Sequence, residues 1–351
     1  MHRPRPPPRR RAPAVSHRRS ARAAVFSAGS WGTAVAKILA DAGTSVIVHA
    51  RRAEIADAIN TMHHNPGYFP DVELPTALTA TTDPAAALNR ADYLVLSIPA
   101  QSLRLNLTEW TPYIGPDTVI VSLMKGIELG SGERASRIIT EVTGVSEDRV
   151  AVLSGPNLAR EIMDGRPAAA TVACRDEDAA RRFQQACHTP YFRPYTSTDV
   201  TGCELGGAVK NVIALAVGIA SGMGLGDNAA AVLITRGLAE TTRLAVAMGA
   251  HPATLAGLAG LGDLVATCTS PLSRNRTFGN HLGRGLSVEE ATAVTRQTTE
   301  GVKSAGAILA LAHAHGVEMP ITEVISALLN EGVTLDEAMA MLMQRSPKPE
   351  R

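Results

Sequence analysis

The sequence predicts an α/β fold in which a doubly wound domain precedes an all-helical domain, and three observations indicate it. From Ala23 to about Tyr195, short β-rich apolar runs alternate with helical stretches. After Thr198, apolar residues recur at helical spacing between glycine-rich turns. A glycine-rich turn also joins the first predicted strand to the first predicted helix. Continuous apolar strands that alternate with helices are typical of a parallel sheet covered on both faces.

Seven apolar runs are the predicted strands of the first domain, and four helices are predicted between them. The runs are rich in β-branched side chains and bounded by turn residues, as buried strands are. The order of the later strands in the sheet cannot be read from the sequence. The predicted strands cover residues 23–27, 45–49, 93–98, 118–123, 150–154, 169–173 and 191–195, and the predicted helices cover Thr33–Ala42, Ala53–Met62, Gly132–Val142 and Asp176–Cys187.

The second half of the chain contains three long segments with helical periodicity, at residues 204–221, 228–248 and 299–315. No repeat of solenoid length accompanies them. The chain is therefore predicted to divide into four parts. These are a disordered basic tail at 1–22, an α/β domain at 23–198, an all-helical domain at 199–346 and a short tail at 347–351.

Composition excludes several classes of protein. The chain has 351 residues with 34 basic and 33 acidic side chains, but residues 1–22 hold eight Arg and no acid, so the body is mildly acidic. A targeting peptide or a nucleic-acid-binding arm would have a composition similar to this tail. Four isolated cysteines argue against a structural metal or a disulfide framework, and few aromatic residues argue against base stacking. With no apolar run of ~18 residues and no secretory segment, we expect a cytoplasmic protein that does not insert into membranes.

The turn after the first strand resembles a dinucleotide-binding fingerprint, G-x-G-x-x-G, with one departure. Ser27 stands at the first position, while Gly29 and Gly32 keep the second and third. Such a turn brings backbone N–H groups and a helix N-terminus to a pyrophosphate. Arg51 and Arg52 follow the second strand where an NAD-preferring enzyme has an acid, so NADP is the predicted cofactor and NAD the alternative.

Two lysines are candidates for chemistry, because the chain uses 29 Arg but only five Lys and only Lys titrates within reach of neutral pH. Lys125 follows a predicted strand at the edge where open α/β folds bind ligands. Lys210 lies on a helix among glycine and alanine, which leave room for a ligand or for a close helix contact. A surface charge remains the alternative for Lys125.

A segment rich in glycine and hydroxyl groups follows, at residues 257–279. Asp263 can orient a Lys ammonium, Thr267 adds a hydroxyl, and Arg274 with Asn275 can grip a phosphate. The residues alone thus predict a two-domain NADP-dependent oxidoreductase that acts on a small anion, a phosphorylated ketone or alcohol.

The ordered set of motifs resembles bacterial NAD(P)-dependent glycerol-3-phosphate dehydrogenase over about Ala23 to Ala340. The resemblance implies reduction of dihydroxyacetone phosphate to sn-glycerol 3-phosphate, the precursor of phospholipids, by an enzyme that is commonly a homodimer. The matching motifs are Gly29-Ser30-Trp31-Gly32, Lys125-Gly126, Ser154-Gly155-Pro156, residues 204–212, Ile234-Thr235-Arg236-Gly237, residues 260–264, Ser273-Arg274-Asn275 and Glu300-Gly301.

The resemblance also implies roles for individual residues. Lys210 is the implied proton donor and acceptor at the C2 oxygen, with Lys125 and Asp263 as the other catalytic residues. The implied substrate-binding residues are Lys125, Gly155, Asn157, Lys210, Asn211, Asp263, Thr267, Ser273, Arg274 and Asn275. The implied cofactor-binding residues are Gly29, Ser30, Trp31, Gly32, Arg51, Arg52, Lys125, Ala159, Arg274 and Glu300. No metal is implied.

Ser27, His49 and Asn157 depart from the family pattern, the first two on the cofactor side. Three other functions remain open at this point. One is a related dehydrogenase of another small hydroxy acid, such as a ketopantoate-type enzyme. A second is a catalytically weak NADP(H)-binding regulator, and a third is a nucleic-acid binder that uses the arginine tail.

Overall fold

The computed structural model describes residues 20–295 and 299–344, and an eight-stranded sheet lies in the first half of that range. The strands are short and mostly buried on both faces. They are β1 (Arg22–Phe26), β2 (Ser45–His49), β3 (Leu78–Thr81), β4 (Tyr93–Leu96), β5 (Val119–Ser122), β6 (Val150–Ser154), β7 (Ala168–Cys174) and β8 (Phe192–Ser197).

The strand order is β3-β2-β1-β4-β5-β6-β7-β8, and the first six of these strands are mutually parallel. Order 3-2-1-4-5-6 is that of a Rossmann-type sheet, which reverses its winding between β1 and β4. Ligands of such sheets bind at the carboxyl ends of the strands beside this reversal. The turn that holds Gly29 follows β1 and therefore lies at this point.

Seven helices cover the two faces of the sheet. Two separate clusters of buried apolar side chains lie between sheet and helices, one with α1, α2, α6 and α7 and the other with α3, α4 and α5. The helices are α1 (Ser30–Asp41), α2 (Ala53–Met62), α3 (Pro84–Leu88), α4 (Leu103–Trp110), α5 (Ala135–Thr143), α6 (Ala159–Met163) and α7 (Glu177–Ala186).

The second half of the chain is helical and is organised around one buried helix, α8. Although α8 is long and apolar enough to cross a membrane by composition, its entire apolar window is buried inside the protein, so it is a core helix. The helices are α8 (Val200–Gly222), α9 (Gly226–Ala247), α10 (Pro252–Leu255), α11 (Asp263–Thr269), α12 (Arg274–Gly283), α13 (Val288–Thr295), α14 (Glu300–Ala314), α15 (Pro320–Asn330) and α16 (Leu335–Met343).

Helices α8 and α12 meet backbone to backbone. A Cβ atom added to Gly218 would lie 2.2 Å from the carbonyl oxygen of Arg276, and one added to Gly279 would lie 2.2 Å from that of Leu215. Only glycine fits at such a contact, because real Cβ atoms do not approach a backbone oxygen so closely. This contact fixes α12, whose first residues include Arg274 and Asn275, against the helix that bears Lys210.

The structure confirms the predicted fold class and all seven predicted strands, with two corrections. It adds β3, whose sequence LTAT is short and half polar and so gives no apolar run. It also shows that the sheet is mixed, since β7 pairs antiparallel with β6 while β8 runs parallel to β7. The segment between β6 and β7 holds only the five-residue helix α6, and the chain re-enters the sheet from the edge that it left.

Three short helices, α3, α4 and α6, are also absent from the prediction, because each is too short to give a clear period. Of the predicted basic tail, only residues 20–22 lie within the described range. Arg22 already belongs to β1, and the Ser20 hydroxyl donates to the carbonyl of Gly43 at 2.6 Å. The division of the chain near residue 198 stays a prediction.

We expect Gly218→Ala to destabilise the protein by about 1–3 kcal/mol, because the added methyl group must push α12 away from α8. Thermal or urea unfolding measures the change. Gly306→Ala is the matched control, since Gly306 lies inside α14 with open space around it. There the better helix propensity of alanine is expected to leave stability unchanged or to raise it by about 1 kcal/mol. Equal effects of the two changes would contradict the close contact.

Candidate active site

Two strand ends supply the first side of the site. Lys125 follows β5 and Gly155 follows β6, at the same edge of the sheet. The Lys125 ammonium donates to the Gly155 carbonyl at 3.0 Å and to the Asp263 carboxylate at 2.7 Å. Gly155 has φ +150°, and a Cβ there would lie 3.0 Å from the Cα of Ala170. The sequence therefore places glycine where the loop passes closest to β7.

Asp263 joins the two halves of the site. Its carboxylate is buried at the start of α11, directly after a π-helical turn at Leu258–Gly262. One oxygen accepts from Lys125 and the other accepts from Lys210. Lys210 also donates to the Thr267 hydroxyl at 2.6 Å. Two ammonium groups from distant parts of the chain thus share one carboxylate, whereas the sequence indicated only that Asp263 could orient a Lys ammonium.

Burial lowers the pKa of Lys210 to about 8. The negative charge of Asp263 opposes this shift, whereas the positive charge of Lys125 adds to it. A lysine in this range exchanges its proton near neutral pH, which an exposed lysine does not do. The cluster can therefore stabilise a developing oxyanion and also deliver a proton to it.

The glycines beside Lys210 do not open space for a ligand, and on this point the close-contact alternative is correct. A Cβ on Gly206 would lie 2.5 Å from the carbonyl oxygen of Ala259, so α8 touches the turn before Asp263. A Cβ on Gly207 would lie 3.1 Å from the Ser154 hydroxyl and 3.3 Å from Cγ of Lys125. Gly207 therefore makes room for the Lys125 side chain.

A chain of amides ties the strand edge to the helices. The Asn211 side-chain nitrogen donates to the backbone carbonyl of Lys125 at 3.1 Å. The Asn275 side-chain nitrogen donates to the side-chain oxygen of Asn211 at 3.0 Å. The Asn275 side chain also accepts from the Gly301 N–H at 2.9 Å. Asn275 thus holds α12 against α8 and α14, while one of its amide hydrogens remains for a ligand. Ser273 likewise has a local task, since its hydroxyl accepts from the Arg276 N–H at the start of α12.

Several buried polar atoms near the cluster have no hydrogen-bond partner among the described residues. Asn157 has both amide atoms in this state, and Ser154 has its hydroxyl. Ser154 is the last residue of β6, and Asn157 lies on the loop that follows and bears Gly155. Buried polar groups are almost always paired, so these atoms indicate a place for a polar ligand. The sequence pointed to Asn157, whereas it gave no individual signal for Ser154.

The other end of the site is the turn between β1 and α1. A Cβ on Gly32 would lie 2.2 Å from the Ser27 carbonyl oxygen, so glycine is required there. Gly29 is the N-cap of α1, and no described side chain caps that helix. The first N–H groups of the helix therefore face outward at Ser30, as a pyrophosphate site requires.

Ser27 adopts φ +142°, a backbone conformation that favours glycine. The sequence does not determine the φ of Ser27, and the structure shows a strained value. Its hydroxyl accepts from the Gly29 N–H at 3.0 Å, so one amide of the turn is already engaged within the chain.

The remaining predicted cofactor residues surround this turn and α14. Trp31 and Glu300 each have a buried polar atom without a partner among the described residues, and burial raises the pKa of Glu300 while the Arg274 charge lowers it. Ala159 begins α6, which packs on α1. Arg51 and Arg52 follow β2 and are exposed.

Ser304 is a polar residue that the sequence reasoning missed. It is fully buried one helical turn after Glu300, and its hydroxyl also lacks a described partner. The i, i+4 spacing from Glu300 on α14 is the only signal that could have indicated it.

The fold and this site define a two-domain dehydrogenase of the nucleotide-binding class. The residues fit a dinucleotide: no side chain in the described ranges caps the helix terminus, and glycine stands at both close approaches. Polar atoms that have no partner within those ranges line the region. Ser27 is the one local misfit. Among the described residues, no three His, Cys, Asp or Glu side chains converge as metal ligands.

Comparisons identify the family. Residues 22–180 and 199–340 match the models of the N- and C-terminal parts of NAD-dependent glycerol-3-phosphate dehydrogenase. The glycerol-3-phosphate dehydrogenases (NAD(P)+) of Streptomyces avermitilis and Streptomyces griseus are 64% and 63% identical over 330 residues, 94% of this chain and 98% of each relative. The crystal structure of glycerol-3-phosphate dehydrogenase from Coxiella burnetii superposes with a TM-score of 0.88 at 36% identity, covering 93% of this chain and 99% of that one. The chain belongs to the NAD-dependent glycerol-3-phosphate dehydrogenase family.

We expect Ser27→Gly to lower the Michaelis constant for NADPH by about threefold to tenfold, because glycine relaxes the turn and frees the Gly29 N–H, and one hydrogen bond has about this value. Steady-state kinetics at saturating second substrate measure it. Ser27→Ala is the matched control, since it removes the hydroxyl but keeps the Cβ atom. If Ser27→Ala gives the whole improvement, the engaged amide is the cause; if neither variant changes the constant, the strain has no consequence for the cofactor.

Proposed function

We propose that the protein reduces dihydroxyacetone phosphate to sn-glycerol 3-phosphate with NAD(P)H, in a reversible reaction. The observation that supports this most strongly is the Lys125–Asp263–Lys210 cluster at the carboxyl edge of the sheet. Membership of the family, with relatives about 60% identical over nearly the whole chain, agrees with it. The reaction consumes one proton with each hydride, and the cluster contains a group that can give that proton.

The bound dinucleotide supplies the hydride that adds to the C2 carbonyl carbon. Every other requirement falls on the protein. As charge develops on the C2 oxygen, the ammonium groups of Lys210 and Lys125 stabilise it. Lys210 then gives its proton to that oxygen, and Asp263 keeps the two ammonium groups aimed at one point. Thr267 fixes the direction of the Lys210 side chain through its hydroxyl.

We assign the substrate and cofactor contacts as follows. The phosphate lies against the start of α12, where Ser273, Arg274 and Asn275 stand, and the glycerol part lies between Gly155, Asn157 and Asn211. Asn157 is supported by its two buried amide atoms, which no residue of the described structure pairs. The pyrophosphate lies at Gly29, Ser30, Trp31 and Gly32, and Lys125, Ala159, Arg274 and Glu300 complete the cofactor site.

We propose a preference for NADPH over NADH, because Arg51 and Arg52 follow β2 where a 2′-phosphate would lie. The Arg52 guanidinium is 3.6 Å from Glu54, an exposed pair that leaves it accessible to a ligand phosphate.

We further propose a cytoplasmic homodimer that supplies the backbone of phospholipids. The dimer is supported by α9, which exposes the apolar side chains of Val232 and Val246 and follows the exposed side chain of Leu225.

A competing function is a dehydrogenase of a carboxylate such as a ketopantoate-type substrate. Arg274 beside Ser273 and Asn275 at a helix start favours a phosphate, because a helix N-terminus and a guanidinium together fit a dianion. A catalytically weak regulator is the other alternative, and the intact Lys125–Asp263–Lys210 cluster argues against it.

Loss of NADPH absorbance on addition of dihydroxyacetone phosphate tests the function. We expect turnover with the phosphate ester and almost none with unphosphorylated dihydroxyacetone, because the segment at Ser273–Asn275 would have no anion to hold. NADH in parallel tests the cofactor preference. Tight binding of NADPH without turnover would favour the regulator, and equal turnover of both ketones would contradict the phosphate site.

The pH dependence should follow Lys210. Reduction needs its ammonium form, so kcat for reduction should fall about tenfold per pH unit above pH about 8, and oxidation of glycerol 3-phosphate should rise through the same range.

Lys210→Arg keeps the positive charge but cannot give up a proton, so we expect about 10²–10⁴-fold lower turnover and loss of this titration. Near-normal turnover of Lys210→Arg would remove Lys210 from the acid–base role.

A further inference from the structure

A buried asparagine outside the assigned site holds the glycine-rich turn from behind. Asn65 lies on the loop that follows α2 and is fully buried. Its amide nitrogen donates to the Ala28 carbonyl at 2.9 Å and to the Thr33 hydroxyl at 2.8 Å. Ala28 lies in the turn between Ser27 and Gly29, and Thr33 lies in the first turn of α1. One side chain therefore connects the turn to the helix that it leads into.

The loop that presents Asn65 is itself well anchored. The Asn65 carbonyl accepts from the Phe69 N–H at 2.8 Å, and the Leu74 N–H donates to the His63 carbonyl at 2.7 Å. Phe69 and Leu74 are buried in the core beside α1 and α2. We call residues 63–74 the Asn65 loop. Because the ends of the loop and its apolar side chains are fixed, the Asn65 side chain has a fixed position relative to the turn.

The Asn65 bond acts on one particular peptide unit. The Ala28 carbonyl and the Gly29 N–H belong to the same planar group and point in opposite directions. Asn65 holds the carbonyl, and the Ser27 hydroxyl accepts from the N–H. Asn65 therefore fixes the direction of this peptide from its carbonyl side, in a turn whose first residue has the strained φ of +142°.

The same loop also reaches the second cofactor contact. The Asn65 side-chain oxygen accepts from the Gly67 N–H at 3.2 Å, and a Cβ on Gly67 would lie 3.4 Å from the Arg52 guanidinium. Arg52 therefore packs over the Asn65 loop. The loop touches both the turn assigned to the pyrophosphate and an arginine assigned to the 2′-phosphate.

We propose that Asn65 is a positioning residue for the dinucleotide: it holds the Ala28–Gly29 peptide and the first turn of α1 in the arrangement that receives the pyrophosphate. This rests on the proposed function only in assuming that the turn binds NADPH. Amides that are already ordered bind an anion without a further loss of conformational entropy. Loss of the Asn65 bonds should therefore weaken NADPH binding and leave the lysine cluster unaffected.

Fluorescence titration of the full-length protein with NADPH tests the proposal directly. Thr33→Val removes one acceptor of the Asn65 amide with almost no change in shape, and Thr33→Ser keeps the hydroxyl. The net value of one hydrogen bond corresponds to about twofold to tenfold in affinity. We expect the dissociation constant to rise by that factor in Thr33→Val and to stay near wild type in Thr33→Ser. Asn65→Ala, which removes both bonds, should raise it by about tenfold or more.

Asn60→Ala is the control for a general loss of stability. Asn60 lies near the end of α2 and makes two similar bonds to the backbone of Ala80, at 2.9 and 2.8 Å, away from the turn. It should leave NADPH affinity unchanged. In Thr33→Val and Asn65→Ala, kcat at saturating NADPH and the Michaelis constant for dihydroxyacetone phosphate should also stay within about twofold of wild type, because the proton-transfer groups are untouched.

Three results would overturn the proposal. In the first, Thr33→Val and folded Asn65→Ala bind NADPH as wild type does. In the second, Thr33→Ser or Asn60→Ala loses as much affinity as they do. In the third, kcat at saturation falls in parallel with affinity. Failure of the wild-type protein to bind NADPH at all would be a different result, because it would overturn the proposed function itself.

Discussion

The bridge that Asp263 forms between Lys125 and Lys210 is the constraint on which the rest of the site depends. Each of the three residues comes from a different element: the end of β5, the middle of α8 and the start of α11. The buried Lys210 ammonium and the part-buried Lys125 ammonium repel each other and are costly to desolvate unless a carboxylate lies between them. The α/β half and the helical half must therefore meet with Asp263 in register. Burial lowers the pKa of Lys210 within this arrangement, against the opposing charge of Asp263.

That register is set by backbone contacts rather than by large side chains. Gly206 lets α8 touch the turn before Asp263, Gly207 admits the Lys125 side chain, and Gly218 lets α12 lie against α8. Helices that approach so closely transmit small displacements directly. The asparagine pair Asn211 and Asn275 then fixes the rotation of these helices by hydrogen bonds. The position of the phosphate-binding segment is thus a consequence of how α8 packs.

Much of the fold, and part of the site, could be read from the sequence for physical reasons. Buried parallel strands need apolar, β-branched runs, so seven of eight strands were predictable, while LTAT at β3 has too few apolar residues to be one. Strand direction was not predictable, because a run of side chains is the same in either direction, as β7 shows. Lys125 was a candidate because it follows a predicted strand, and Asp263 was a candidate because it lies in the glycine- and hydroxyl-rich segment at residues 257–279. The hydrogen-bond partner of each side chain depends on three-dimensional contacts. The sequence therefore did not predict the bonds that Asn275 makes within the protein, or the roles of Ser154, Ser304 and Asn65.

The departure at Ser27 shows why the cofactor side of this site can vary independently of its chemistry. Its effects are local: a strained φ and one engaged amide, both within a turn that lies against α1 and the Asn65 loop. Within the described part of the chain, no hydrogen bond of Ser27 or Asn65 reaches Lys125, Lys210 or Asp263. The buried Asn65 amide bonds to the Ala28 carbonyl and stabilises the turn in its present conformation. The turn therefore tolerates serine at position 27, although its positive φ favours glycine. The lysine cluster is less tolerant of change, because Lys210 and Asp263 are buried and Lys125 is part-buried beside them. Removal of any one of these charges leaves another without its compensating partner.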